Sequence, residues 1–132
     1  MHDPISDLII RIKNASSAGK KSVVIPHSKI KEEICQNLLK NGFIESVAII
    51  DSENIAKKSL EVVLKYTNKK KPLVIEMKVT STPGLRRYKR VKDIKPYKNG
   101  LGMELFTTSK GVISDYECLE KNVGGLSILK IM

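Results

Sequence analysis

Two stretches with a helical apolar spacing, Ile5 to Ile12 and Ile30 to Leu39, constrain the fold of the first half most. Ile5, Leu8, Ile9 and Ile12 fall at i, i+3, i+4 and i+7, one face of a helix. Asp3-Pro4 starts that helix, an N-cap acceptor followed by a residue preset for the first turn. Ser16 to Lys20, with Gly19, is a turn, and Ser22 to Ile25 is a short strand that Pro26 terminates. Ser28 caps a second helix whose apolar face is Ile30, Ile34 and Leu38, with Cys35 and Leu39 beside it. Glu32 and Glu33 lie near its first turn, where the helix dipole favours negative charge. Asn41-Gly42 ends it, glycine taking the left-handed position after the cap. Beyond it, Phe43 to Ile50 reads as a strand, and Leu60, Val62, Leu64 and Tyr66 alternate on one face of another. The order α, β, α, β, β predicts a compact α/β unit, its helices covering one face of a small sheet.

The second half is read as strands with one short helix. Asn68-Lys69-Lys70-Lys71-Pro72 suits an exposed connection between the halves, either a solvated turn or a contact site. Leu73 to Val79 reads as a strand, and Thr80-Ser81-Thr82-Pro83-Gly84 as a turn. Leu85 to Lys92 then sets five cations around Tyr88 with no acid among them. Arginines suit bidentate phosphate contacts, and a tyrosine ring stacks on a base or packs on a ribose. The plainer alternative is an edge strand that charge protects from aggregation. Ser114-Asp115-Tyr116-Glu117 matches a capping box, placing a short helix to about Lys121. Asn122 to Gly125 turns the chain, and Leu126 to Ile131 is a last strand. The expected class is α+β, with an N-terminal α/β domain over 1–67 and a mostly β C-terminal domain over 68–132.

Charge narrows the partner. Lys and Arg number 24 against 14 Asp and Glu, a net of +10. Residues 1–67 hold ten basic and eight acidic side chains, and residues 68–132 hold fourteen and six, so most of the excess lies in the second half. A polyanion is the natural partner, because each phosphate neutralised releases counterions. The basic residues do not lie opposite an amphipathic stripe, which disfavours a membrane surface. No apolar run approaches the ~20 residues of a membrane helix. The N-terminus lacks a signal peptide's charged-then-apolar pattern, so export is not expected. Cys35 and Cys118, with only two histidines, give no metal-ligand spacing, and both read as core thiols. No cofactor is expected.

Between the apolar runs Met103 to Phe106 and Val112 to Ile113 stand Thr107, Thr108, Ser109, Lys110 and Gly111. Three hydroxyls and a cation offer donors to one polar, anionic surface, and glycine permits close approach. A Ser/Thr/Gly turn is the bland alternative. Hydroxyls alone are weak nucleophiles, and this half of the chain has no histidine to activate them. An enzyme using the loop as a phosphate cradle would need its base among Asp93, Glu104, Asp115, Glu117 and Glu120. Asp115 and Glu117 are better explained as helix caps. The loop reads as one that holds and does not cut.

Several of these segments, in this order, resemble the bacterial and organellar form of the eighth small-subunit ribosomal protein. They are Asp3-Pro4-Ile5 with Arg11 to Ala15, Ile25-Pro26-His27-Ser28-Lys29, and Gly42 to Glu45. Ser81 to Tyr88, Gly100-Leu101-Gly102 before Thr107 to Gly111, and the closing Gly124-Gly125 complete the series. The resemblance covers essentially the whole length. It implies a two-domain protein that binds the central domain of small-subunit ribosomal RNA and supports platform assembly, with neighbouring small-subunit proteins as partners. Its own message is a further partner in many members, and a free-standing RNA-binding translational regulator is the alternative. The location implied is the ribosome, cytoplasmic or in an organelle's stroma or matrix.

Carried onto this chain, Thr107, Thr108, Ser109, Lys110 and Gly111 would contact backbone and an exposed base. Arg86, Arg87, Tyr88, Lys89, Arg90, Gly124 and Gly125 would support them, and Arg11, Asn14, Ser28 and Lys29 would make lesser contacts. The chain departs from the family pattern at Thr107, where serine is usual. It departs again at Leu126, where the family has a glutamate that helps brace the RNA-facing surface.

Overall fold

The computed structural model describes residues 4–51, 58–66, 77–80, 87–97 and 102–132. It divides the chain into two units, Met1–Val74 and Ile75–Met132. Asp3, the Lys69 to Lys71 run and the turn around Pro83 lie outside the described residues.

In the first unit, α1 (Pro4–Ser17) precedes β1 (Ser22–Pro26), α2 (Lys29–Lys40), β2 (Ile44–Asp51) and β3 (Lys58–Leu64). The three strands form one antiparallel sheet in the order β1-β3-β2. Strand residues alternate between faces, and Ile25, Leu60 and Val62 on one face are fully buried. Leu8, Ile9 and Ile12 of α1 and Ile34 and Leu38 of α2 are buried with them, as the helical spacing predicts. The Ser28 side chain caps α2 by accepting from the Lys31 amide at 3.3 Å. One buried charge was not read from the spacing. Lys31, on α2, reaches Asp7 of α1 at 3.1 Å and the Pro26 carbonyl at 3.4 Å. Asp7 also holds Arg11 at 3.1 Å, so one carboxylate ties the two helices. These two cations hold the Asp7 carboxyl below its usual range, Lys31 having the larger effect.

The second unit is a five-stranded antiparallel sheet with one helix. Its elements are β4 (Met77–Val79), β5 (Arg87–Lys89), β6 (Met103–Thr108), β7 (Gly111–Ser114), α3 (Asp115–Lys121) and β8 (Gly125–Ile131). A turn of 3-10 helix, Val91–Asp93, follows β5. The sheet runs β4-β8-β6-β7, and β5 also pairs with β8. β4 meets residues 129–131 of β8 and β5 meets residues 125–127. Phe106, Ile94, Ile113 and Cys118 form one core cluster, with Val123 against it, and Leu105, Leu129 and Ile131 are also fully buried. Ser114 caps α3 as its sequence predicts, accepting from the Glu117 amide at 3.3 Å. Asn122 ends that helix in the left-handed conformation, φ 56°, which asparagine tolerates. Burial pushes the Cys35 thiol up to about 12 and the Cys118 thiol to about 11, so both stay protonated and unreactive at neutral pH.

Candidate nucleic-acid interface

The hydroxyl segment is less of a loop than its composition suggests. Thr107 and Thr108 are the last residues of β6, paired with Val112 and Gly111, and only Ser109 and Lys110 form the turn. Neither turn residue has positive φ, whereas Gly111 has φ 95°. The β6–β7 register runs unshifted through the Thr108–Gly111 pair, and the glycine alone takes the positive φ at the turn's exit. Gly111 is therefore required by the turn itself. Thr108 is also used internally: its hydroxyl donates to the Gly111 carbonyl at 2.9 Å and accepts from the Lys110 amide at 3.0 Å. Ser109 and Lys110 project at the exposed tip, and Thr107 is half-buried beside them.

Strand register brings Tyr88 to this tip. Tyr88 pairs with Leu126 and Leu126 pairs with Thr107, so the three share one face in a row across β5, β8 and β6. Tyr88 is 67% exposed, a large ring left open to a partner. Gly124, just before β8, and Gly125, its first residue, make this row possible. A Cβ on Gly124 would lie 2.6 Å from the Lys89 carbonyl and 3.2 Å from the Tyr88 hydroxyl. A Cβ on Gly125 would lie 2.6 Å from Thr108 Cγ2 and 2.8 Å from the Thr107 carbonyl. Gly124 thus lets Tyr88 lie over the strand, and Gly125 lets β6 and the tip close against it.

The cations divide by circumstance. Lys110, Lys92 and Lys95 are exposed. Arg90 is exposed and makes a solvent-screened pair with Asp93 at 3.5 Å, which leaves it available. Lys89 points the other way from Tyr88 and reaches Glu104 at 3.4 Å. Arg86 and the side chain of Arg87 lie outside the described residues. In the first unit, Arg11 and Asn14 line a shallow groove with Ala15, Ala18, Lys20, Ser22, Val23 and Val24. Ser28 is engaged as a helix cap, and Lys29 is exposed at the first turn of α2.

Carboxylates in the second unit serve the fold. Asp115 is fully buried and accepts from the backbone amides of Tyr97 at 2.8 Å and Tyr116 at 2.9 Å. Burial raises its carboxyl, and those amide hydrogen bonds oppose the shift. Sequence reasoning read Asp115 only as a helix-start residue, because its bond to Tyr97 spans 18 positions and leaves no local signal. Glu117 pairs with Lys121 at 3.7 Å. Among the described residues, no three His, Cys, Asp or Glu side chains gather as a metal site, and no helix is long and apolar enough to cross a membrane. The arrangement is an aromatic ring, hydroxyls and exposed cations on one solvent-facing surface.

Comparison with known proteins gives one family. The sequence model described as Ribosomal protein S8 matches residues 3–132. A small ribosomal subunit protein uS8 of Stenotrophomonas maltophilia is 42% identical over 125 residues, covering 95% of this chain and 93% of its own length. The uS8 of Persephonella marina is 40% identical over 126 residues, 93% of each chain. That of a Caulobacter species is 37% identical over 131 residues, 99% of this chain and 98% of its own.

Proposed function

The chain belongs to the ribosomal protein S8 family, and from that premise we propose that it is a primary RNA-binding protein of the small subunit's central domain. Its role is structural: it binds an irregular stem, fixes its shape and so supports assembly of the platform. One observation carries the assignment to the second unit. The row Tyr88, Leu126, Thr107 ends at the exposed Ser109-Lys110 tip, placing a stacking ring, hydroxyls and a cation on one face. Irregular RNA offers such a face an unstacked base and 2′-hydroxyls. Lys110 and Arg90 supply affinity that falls with salt. Ser109, Thr107 and Tyr88 supply preference for the cognate stem, and Gly111, Gly124 and Gly125 supply the close approach. Arg86 and Arg87, which adjoin Tyr88 in sequence, are proposed as further RNA contacts. Arg11, Asn14 and Lys29 in the first unit make lesser contacts. The capping, ion-pair and amide-binding uses of Asp115 and Glu117 support a non-catalytic role.

The test is equilibrium binding to a central-domain stem and to a scrambled stem at two salt concentrations. Ser109→Ala is expected to reduce the cognate preference by about fivefold, the loss of one hydrogen bond of ~1 kcal/mol. Lys110→Gln is expected to weaken binding to both stems alike. Equal losses on both stems for Ser109→Ala would overturn this division of labour. Co-sedimentation with small subunits in high salt separates a ribosomal constituent from a free-standing regulator. Binding to a stem from its own message tests translational feedback.

A further inference from the structure

The cation beside Tyr88 has a different task from the other cations of this surface. Successive strand residues face opposite sides, so Lys89 turns inward where Tyr88 turns outward. Its ammonium lies 3.4 Å from Glu104 Oε1, and Glu104 is 3% exposed. The other carboxylate oxygen, Oε2, accepts from Ser127 Oγ at 2.5 Å, and Ser127 is 1% exposed. Ser127 Oγ lies 2.7 Å from Thr80 Oγ1. A hydroxyl has one proton, and Ser127 gives its proton to a carboxylate that can only accept. Thr80 is therefore the donor to Ser127. Thr80 donates to Ser127 and Ser127 to Glu104, while Lys89 donates to Glu104 from the other side, so the network converges on one buried carboxylate.

This network reaches the two shortest described strands of the sheet. β4 and β5 are three residues each and lie end to end along the same edge of β8. Thr80 follows β4 and Lys89 closes β5, so the network joins both short strands to β8 and β6. A buried carboxylate persists only when paired and hydrogen-bonded, and here the partner is the residue next to Tyr88.

We infer that Lys89 is a positioning residue of the RNA surface and not a phosphate contact: its charge is held by Glu104, and the pair sets β5 so that Tyr88 stands beside Leu126 and Thr107. This rests on the RNA reading given above. A cation already neutralised by a buried carboxylate releases no counterion from RNA, whereas the exposed Lys110 does.

The experiment measures the slope of log affinity against log salt, and the cognate preference, for variants of the full chain. Lys110→Gln is expected to lower the slope by about 0.7–0.9, one phosphate's worth. Lys89→Gln leaves the slope as in the wild type and lowers the cognate preference about fivefold or more. The double variant Lys89→Gln/Glu104→Gln removes both charges and keeps hydrogen-bonding groups. It is expected to retain the wild-type slope, and a preference closer to the wild type than Lys89→Gln, should that single variant be too unstable to measure. A slope lowered by Lys89→Gln, or by the double variant, as much as by Lys110→Gln overturns the inference. A second readout needs no RNA. In the free protein Lys89 is expected to be acylated several-fold more slowly than Lys110, and Glu104→Gln to bring it to the Lys110 rate. Equal rates in the wild type overturn the inference. Failure of the RNA reading shows differently, as a wild type without cognate preference at either salt, whatever the acylation rates.

Discussion

Gly125→Ala should be among the most damaging one-carbon changes in the second unit. Gly125 is not in the left-handed region, so alanine there meets no conformational penalty and stiffens the unfolded chain, a gain of ~0.4–1 kcal/mol. The added Cβ, however, falls 2.6 Å from Thr108 Cγ2, 2.8 Å from the Thr107 carbonyl oxygen and 3.2 Å from Phe106 Cβ. The Thr108 methyl cannot simply turn away, because its hydroxyl is fixed by bonds to Gly111 and Lys110. The Thr107 oxygen is backbone in the β6–β8 ladder. Overpacking of this kind costs ~1–3 kcal/mol, and a backbone contact belongs at the upper end. The net is a loss of ~2 kcal/mol, or about 8–16 °C in the melting temperature of a unit this size. Thermal unfolding, with amide exchange at Leu105 and Leu129 to identify the unit, measures it. Gly19→Ala is the control: it meets nothing within 4 Å but sits at φ 70°, so its cost is conformational. Gly19→Asn should recover part of that cost, since asparagine tolerates the left-handed region. Gly125→Asn should be worse than Gly125→Ala. Stability of Gly125→Ala within ~0.5 kcal/mol of the wild type would refute the close-approach argument.

Three further outcomes follow from contacts already described. Asp115→Ala strands the Tyr97 and Tyr116 amides and should cost ~2–4 kcal/mol, measured by chemical denaturation. Asp7→Asn tests the acid limb. The folded carboxyl lies below its unfolded value of 3.8 because of Lys31 and then Arg11. Its stabilisation is therefore present above pH 3.8 and lost as pH falls through the lower folded value. The stability gap between wild type and Asp7→Asn should close over that interval, and a gap independent of pH would count against the pairing. Ser28→Ala removes the α2 cap and should cost ~1 kcal/mol, seen in denaturation midpoints.

Local pattern carried much of the fold. The α1 stripe, the Ser28 cap with Gly42 after α2, the Leu60, Val62, Leu64 alternation and the Ser114 capping box each depend on residues within a few positions. What pattern could not supply was polar pairing across long separations. Lys31 and Asp7 are 24 positions apart, Ser127 and Glu104 are 23 apart, and Thr80 and Ser127 are 47 apart. These meet only after the sheets have chosen a register. The same cause hid the place of Leu126. It sits between Tyr88 and Thr107 because β8 pairs with both β5 and β6. Composition also overstated the loop: β-branched Thr107 and Thr108 extend β6, a strand preference that the hydroxyls masked.

With leucine at 126, the carboxylate beneath this surface comes from Glu104, one strand over. Leu126 thus sets an apolar side chain between Tyr88 and Thr107, with the Lys89–Glu104 pair on the other side of the sheet. An apolar floor beside an exposed tyrosine favours stacking over hydrogen bonding at that point.

We propose that the second unit binds ribosomal RNA through its Tyr88 to Ser109 face. Amide chemical-shift changes in the labelled full chain, titrated with a central-domain stem, test it most directly. The largest changes are expected on residues 88–90, 107–111 and 124–126, with smaller ones near Arg11 and Lys29. Changes concentrated on α1 and α2, with Tyr88 and Ser109 unmoved, would contradict it.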